Sequence, residues 1–176
     1  MKITILRHGE TNWNKEGKIQ GSVEVELSKQ GELQIREISK VIKDMDIDKV
    51  YVSPLIRTVQ TAKIITQECN LEYEIEDRLK ERNFGELEGT LKSSINFNEV
   101  WDFNINSNYG NGECVEEFFD RISDYLDDLS QQDYKHVLLI THGGVSLGIR
   151  CCLAGSFIGD VDNVILKHGK IINYKL

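Results

Sequence analysis

Two short apolar runs each stop at a histidine backed by glycine: Leu6-Arg7-His8-Gly9, and Ile140-Thr141-His142-Gly143-Gly144. Glycine there lets the backbone approach a ligand closely. If the two runs are neighbouring strands, both imidazoles meet in one crevice. A third run, Lys49–Val52, ends at Ser53-Pro54 and puts Arg57 in the first turn of the next helix, where free N–H groups and the positive dipole end favour an anion. Arg7, Arg57, His8 and His142 around one small volume suit a tetrahedral oxyanion, because guanidinium groups bind phosphate in bidentate fashion.

Such a cluster implies phosphoryl chemistry. An imidazole nitrogen can attack phosphorus and form a phosphohistidine. The arginines would stabilise charge on the equatorial oxygens of the transition state. The leaving alkoxide then needs a proton, and a carboxylic acid is the natural donor, whose carboxylate could next activate water. Glu81, in Asp77-Arg78-Leu79-Lys80-Glu81-Arg82-Asn83-Phe84-Gly85, is the candidate acid/base, though spacing alone does not select it from Asp77, Glu86 or Glu88. His136 follows a polar stretch and His168 falls in an expected hairpin turn, so both read as solvated. Trp13 and Trp101 read as packing residues, either of which could edge the pocket.

The elements that must position these groups alternate between strand-like and helix-like patterns. Lys2–Leu6, Lys49–Val52, a short stretch within Leu71–Ile75, and His136–Thr141 read as strands. Val161–Leu166 and Lys170–Tyr174 read as a hairpin turning at Lys167-His168-Gly169. Ser28–Lys43 reads as a helix capped by Ser28, with Leu33, Ile38, Val41 and Ile42 facing inward. Ser53 is the expected cap of a helix with Pro54 at its first position. Glu113–Leu129 carries Val115, Phe118, Phe119, Ile122, Leu126 and Leu129 at helical spacing, a core-facing stripe. A last helix starts near Gly143. Polar Asn104–Gly112 reads as a loop. Alternating strands and helices imply an open, mostly parallel sheet covered on both faces, with ligands bound outside the carboxyl ends of its strands.

Bulk properties are those of an ordinary globular domain. The 176 residues are 40% hydrophobic and 28% charged, without repeats or linker-like tracts, so one domain over 1–176 is expected. No apolar run approaches the length of a membrane span, and Arg7-His8 follows too soon for a signal peptide. The net charge of −8 argues against nucleic-acid or membrane partners but not against a small anion held by a local cluster of cations. Cys69, Cys114, Cys151 and Cys152 lack the C-x-x-C spacing of zinc or redox sites and read as small hydrophobes in a reducing cytoplasm.

The chain resembles the histidine phosphatase superfamily, also called phosphoglycerate mutase-like. The matching blocks are Arg7-His8-Gly9-Glu10-Thr11 with Asn14; Ser53-Pro54-Leu55-x-Arg57-x-x-Gln60-Thr61-Ala62; Leu79-x-Glu81-x-x-Phe84-Gly85-x-Leu87-Glu88-Gly89; Gly112-Glu113; and His142-Gly143-Gly144, with Asn163 beyond them. The resemblance implies a three-layer α/β/α fold and a metal-independent, cofactor-free phosphoric monoester hydrolase of the histidine acid phosphatase type. It implies His8 as nucleophile and Glu81 as proton donor. Arg7, Asn14, Arg57, His142 and the Gly143 backbone would hold the phosphoryl group, with Gln20 and Gly21 toward the substrate. Ser22-Val23-Glu24-Val25-Glu26-Leu27 departs from the family's usual Asp and Pro-Leu after Gln-Gly, and Cys114 stands where Ser is common.

Three functions compete. The first is hydrolysis of a small phosphorylated metabolite. The second is a phosphoglycerate mutase, for which the family carries a long basic insertion; here Thr90–Gly112 is short and Lys92 is its only basic residue. The third is a non-catalytic module that binds a phosphorylated ligand. The rim is expected from Gln20–Glu26 and Asn98–Gly112.

Overall fold

The computed structural model describes residues 1–155 and 161–176, the side chains of Asp162 and Asn163 excepted; the expectation for Asn163 therefore lies outside the described residues. In chain order the elements are β1 (Lys2–Arg7), α1 (Asn12–Lys15), α2 (Lys29–Ile42), β2 (Lys49–Val52), α3 (Ile56–Cys69), β3 (Glu74–Ile75), α4 (Val115–Ser130), β4 (His136–Thr141), α5 (Gly143–Ala154), α6 (Val161–Val164) and β5 (Ile171–Lys175). The strands form one sheet in the order β3-β2-β4-β1-β5. All pairs are parallel except β1–β5.

Two cores lie on opposite faces of this sheet, and the period-2 alternation of the strands feeds both. In β4, Val137 and Leu139 join the core containing Phe118, Ile122 and Ile149 of α4 and α5. Leu138 and Ile140 join the core built from Ile35, Ile42, Ala62 and Ile65 of α2 and α3. β1 splits likewise, with Ile3 and Ile5 on the first face and Leu6 on the second. Both faces are covered, so the central strands read as continuous apolar runs rather than alternating ones.

Several local features differ from expectation. The buried face of α2 is Gly31, Ile35, Ser39 and Ile42, whereas Leu33 and Val41 are exposed. A stripe drawn through every apolar residue is rotated away from the true face, which runs through the small residues Gly31 and Ser39. Val161–Val164 is a helical turn, not the first arm of a hairpin, and β5 pairs with β1 instead. Ser53 does not cap α3: Leu55 occupies the N-cap without a side-chain bond. Ser28 does cap α2, accepting from Gly31 N. At α4 the Cys114 N–H donates to Glu117 Oε2 at 3.0 Å, so the helix start is satisfied with cysteine at the cap.

Candidate active site

Register brings the two histidines together. Arg7 in β1 lies opposite Thr141 in β4, so the residues that follow them, His8 and His142, leave adjacent strands at the same edge. Their ring centroids are 5.3 Å apart, and both are buried. His8 Nδ1 sits 2.7 Å from its own neighbour's carbonyl, Gly9 O. A carbonyl only accepts, so the neutral ring carries its proton on Nδ1 and its lone pair on Nε2. His142 has the opposite tautomer. Its Nδ1 accepts from Arg57 Nε at 3.3 Å, and its Nε2 lies 2.7 Å from Ser53 Oγ. A guanidinium only donates, so Nε2 carries the proton and donates it to the serine.

The cations that face these rings come from two strand ends. Arg7 Nη1 donates to Leu166 O at 2.7 Å, while its Nε is buried without a partner among the described residues. Arg57, at the second position of α3, donates from Nη2 to Gly21 O at 2.6 Å and from Nη1 to Val23 O at 2.8 Å. Burial brings both guanidinium groups down to about 10, opposed by the nearby Glu81 carboxylate, and both remain cations at neutral pH. Burial, then Arg57 and Arg7, hold His8 well below its ordinary value. The same burial, followed by Arg57 and His8, lowers His142. Both rings are neutral at physiological pH, which keeps the His8 lone pair available.

Glu81 accepts from Gly144 N at 2.9 Å through Oε2 and from Arg82 N at 3.0 Å through Oε1. The glycines that open α5 make this approach possible. A Cβ at Gly144 would lie 2.2 Å from Glu81 Oε1, and one at Gly143 would lie 2.9 Å from Arg7 Cζ. Of the four carboxylates left open by spacing, Glu81 alone lines the pocket. Asp77 opens onto a different cleft, Glu86 packs against Gly110, and Glu88 accepts from Ser22 N and Phe84 N. Asn14 lines the pocket with its Oδ1 committed to Thr11 N and Oγ1, which leaves its Nδ2 as the donor. Gln20 and Gly21 line it too, and Gln20 Oε1 is buried without a partner among the described residues.

The cavity these residues enclose is about 270 Å³, room for a phosphoryl group and a small leaving group. Its rim differs from expectation. Of Asn98–Gly112 only Trp101 reaches it; among the described residues the remaining wall is residues 17–21, Phe84, Lys92, Phe97, Ile165, Lys167 and His168. Among the described residues no group of three or more His, Cys, Asp or Glu is arranged to hold a metal ion, and no helix is long and apolar enough to cross a membrane.

Four residues carry roles that sequence reading missed. Ser53 orients His142. Arg82, fully buried, donates to the carbonyls of Val100, Ser107 and Glu113 and so ties the irregular stretch before α4 to the site's edge. His136 is buried, bonded to Thr4 Oγ1 and Asp46 O, not solvated. His168 is not solvated either: its ring lies 5.6 Å from that of His8, in the pocket wall.

Fold and pocket together define a three-layer α/β/α protein with neutral imidazoles and guanidinium groups gathered at the carboxyl edge of a mostly parallel sheet. The profile of the histidine phosphatase superfamily (branch 1) matches residues 3–175, and the chain belongs to this superfamily. It is 34% identical over 154 residues to phosphoglycerate mutase-like protein 4 of Arabidopsis thaliana, covering 82% of this chain and 67% of that protein. It is 36% identical over 142 residues to the uncharacterized phosphatase PhoE of Bacillus subtilis (strain 168), covering 80% and 71%. Among solved structures it superimposes on a phosphoglycerate mutase from Thermus thermophilus with a TM-score of 0.78 and 25% identity, covering 98% of this chain and 92% of that one.

Proposed function

We propose that the protein is a phosphomonoesterase that hydrolyses a small phosphorylated metabolite through a phosphohistidine on His8. The observation that carries this reading is the 2.7 Å contact from His8 Nδ1 to Gly9 O, which leaves the Nε2 lone pair for attack. Nε2 attacks phosphorus as the ester P–O bond breaks. Arg7 and Arg57 hold the equatorial oxygens, where their charge is worth most as the transition state forms. Glu81, in its carboxylic-acid form, protonates the departing alkoxide. In the second half, its carboxylate takes a proton from a water that attacks phosphorus. The P–N bond breaks, inorganic phosphate leaves, and both His8 and Glu81 are restored.

A phosphoglycerate mutase is the second reading. One similar structure bears that name and one relative is called mutase-like, and Lys18, Lys92 and Lys167 on the rim could meet a second anionic group. The short segment from Thr90 to Gly112, with one basic residue, favours water over a second phosphoglycerate as the acceptor. A screen of phosphorylated metabolites scored by phosphate release separates these readings. Steady release without bisphosphoglycerate supports the hydrolase. Phosphoryl transfer without release supports the mutase. Ligand binding with no turnover across the panel supports a non-catalytic module.

A further inference from the structure

Among the described residues, four buried polar atoms without partners belong to residues lining this one pocket: Arg7 Nε, Gln20 Oε1, Trp101 Nε1 and His168 Nε2. An unsatisfied buried polar group costs free energy that folding must offset, and such groups collected at one cavity mark where a polar ligand completes the bonding. Of the four residues, Arg7 and Gln20 have roles that the family resemblance implies, and Trp101 packs in the hydrophobic core; His168 has neither account.

His168 is held against the reacting centre by backbone. Gly169 N–H donates to Arg7 O at 3.2 Å and to His8 O at 3.1 Å, and Arg7 N–H donates to Lys170 O at 3.1 Å. Gly169 takes φ +59°, a conformation that glycine adopts readily. The turn before β5 is thereby stitched to the end of β1, and the same segment receives the Arg7 guanidinium at Leu166 O. His8 is flanked by two imidazoles, His142 at 5.3 Å and His168 at 5.6 Å between centroids. His142 has both nitrogens committed within the protein; His168 Nε2 has no such partner among the described residues.

We propose that His168 is a further substrate-contacting residue, a neutral imidazole that donates Nε2–H to an oxygen of the phosphoryl group held at His8. The proposal rests on the phosphatase reading of the site. Burial and the charges of Arg7 and Arg57 keep this ring unprotonated, so it adds a hydrogen bond to the phosphoryl group without adding a charge beside His8. Phosphoryl oxygens only accept, which selects the Nε2–H tautomer.

The test compares His168→Leu and His168→Gln with the wild type. Three readouts are used: hydrolysis of p-nitrophenyl phosphate, calorimetric binding of inorganic phosphate, and urea denaturation. Leucine removes the orphaned polar atom, so stability holds or rises while kcat/KM falls about 10- to 100-fold and phosphate binds more weakly. Glutamine places an N–H near the position of Nε2 and recovers most of the loss. In unmutated protein, the 15N resonance of His168 Nε2 shifts when inorganic phosphate is added, a change that a purely structural residue would not show. Wild-type kcat/KM and phosphate affinity in His168→Leu, or a phosphate-insensitive Nε2 resonance, overturns the proposal. If the wild type hydrolyses nothing, the phosphatase reading fails, while phosphate affinity and the nitrogen resonance still decide the role of His168.

Discussion

The Nε–H of Arg57 donates to Nδ1 of His142 at 3.3 Å, so the guanidinium proposed to hold phosphate is itself braced by the second histidine, whose other nitrogen meets Ser53 Oγ at 2.7 Å. Arg57, His142 and Ser53 form one chain of donors running from α3 to β4 and back to the end of β2. Ser53→Ala removes the acceptor and leaves a buried imidazole N–H unpaired. The expected result is a loss of about 1–3 kcal/mol in urea denaturation and roughly tenfold in kcat/KM, the scale on which an outer hydrogen-bond partner of a site imidazole acts.

The proposed role of Glu81 as proton donor to the leaving group makes a leaving-group prediction. Glu81→Gln keeps one acceptor, so its amide oxygen can take the Gly144 N–H or the Arg82 N–H but not both, and it supplies no proton. Hydrolysis of an alkyl phosphate falls about 10²–10⁴-fold. Release of p-nitrophenolate, which needs little protonation, falls much less in burst kinetics. Equal losses on both substrates would show that the carboxyl group serves only to hold the Gly144 backbone.

Acid should destabilise the fold through the buried histidines. Burial, then Arg7 and Arg57, push His168 down to about 3 from its ordinary 6.5. Between those values the unfolded chain binds a proton that the native state does not, so stability is fully present above pH 6.5 and is lost as pH falls toward 3. His8 and His142, also lowered, act in the same sense, as do the lowered carboxylates of Asp48 and Glu76. The urea midpoint of the wild type falls between about pH 7 and about pH 5, and His168→Gln falls by less. Parallel curves for the two proteins would mean that His168 titrates normally.

Arg82 carries a prediction about the wall. Its guanidinium is fully buried and bonded to Val100 O, Ser107 O and Glu113 O, with Phe84 and Trp101 packed against it. Arg82→Ala leaves those carbonyls unpaired and opens a cavity beneath the pocket. Stability falls by at least about 3 kcal/mol, read from urea denaturation, and KM rises as Phe84 and Trp101 lose their support. A loss under about 1 kcal/mol would place the anchoring of this segment elsewhere.

How much of this is legible in the sequence follows from where each signal lives. The convergence of His8 and His142 is legible because two apolar runs end on histidine-glycine and parallel strands share an edge. The start of α5 at Gly143 and the stripe of α4 are legible for the same local reason. Spacing alone does not select Glu81 over Glu88, since both sit in one acidic loop; the family resemblance points to Glu81, and the backbone geometry brings Glu81 into the pocket. His168 reads as a turn residue because its partner, the end of β1, lies about 160 residues away in sequence, and no local pattern reports an antiparallel β1–β5 pair. Ser53 reads as a helix cap because Ser-Pro carries that signal strongly; the stronger claim of the His142 imidazole is long-range. The α2 face is hidden in the sequence because Gly31 and Ser39 are buried by close packing, which apolarity does not mark.

The most direct measurement is to quench the protein in alkali during turnover of p-nitrophenyl phosphate and locate the transferred group by mass spectrometry and 31P NMR. One phosphoryl group on Nε2 of His8, absent from His8→Ala, is the predicted result. Steady turnover with no phosphoryl-protein species, or with the group on any other residue, would contradict it.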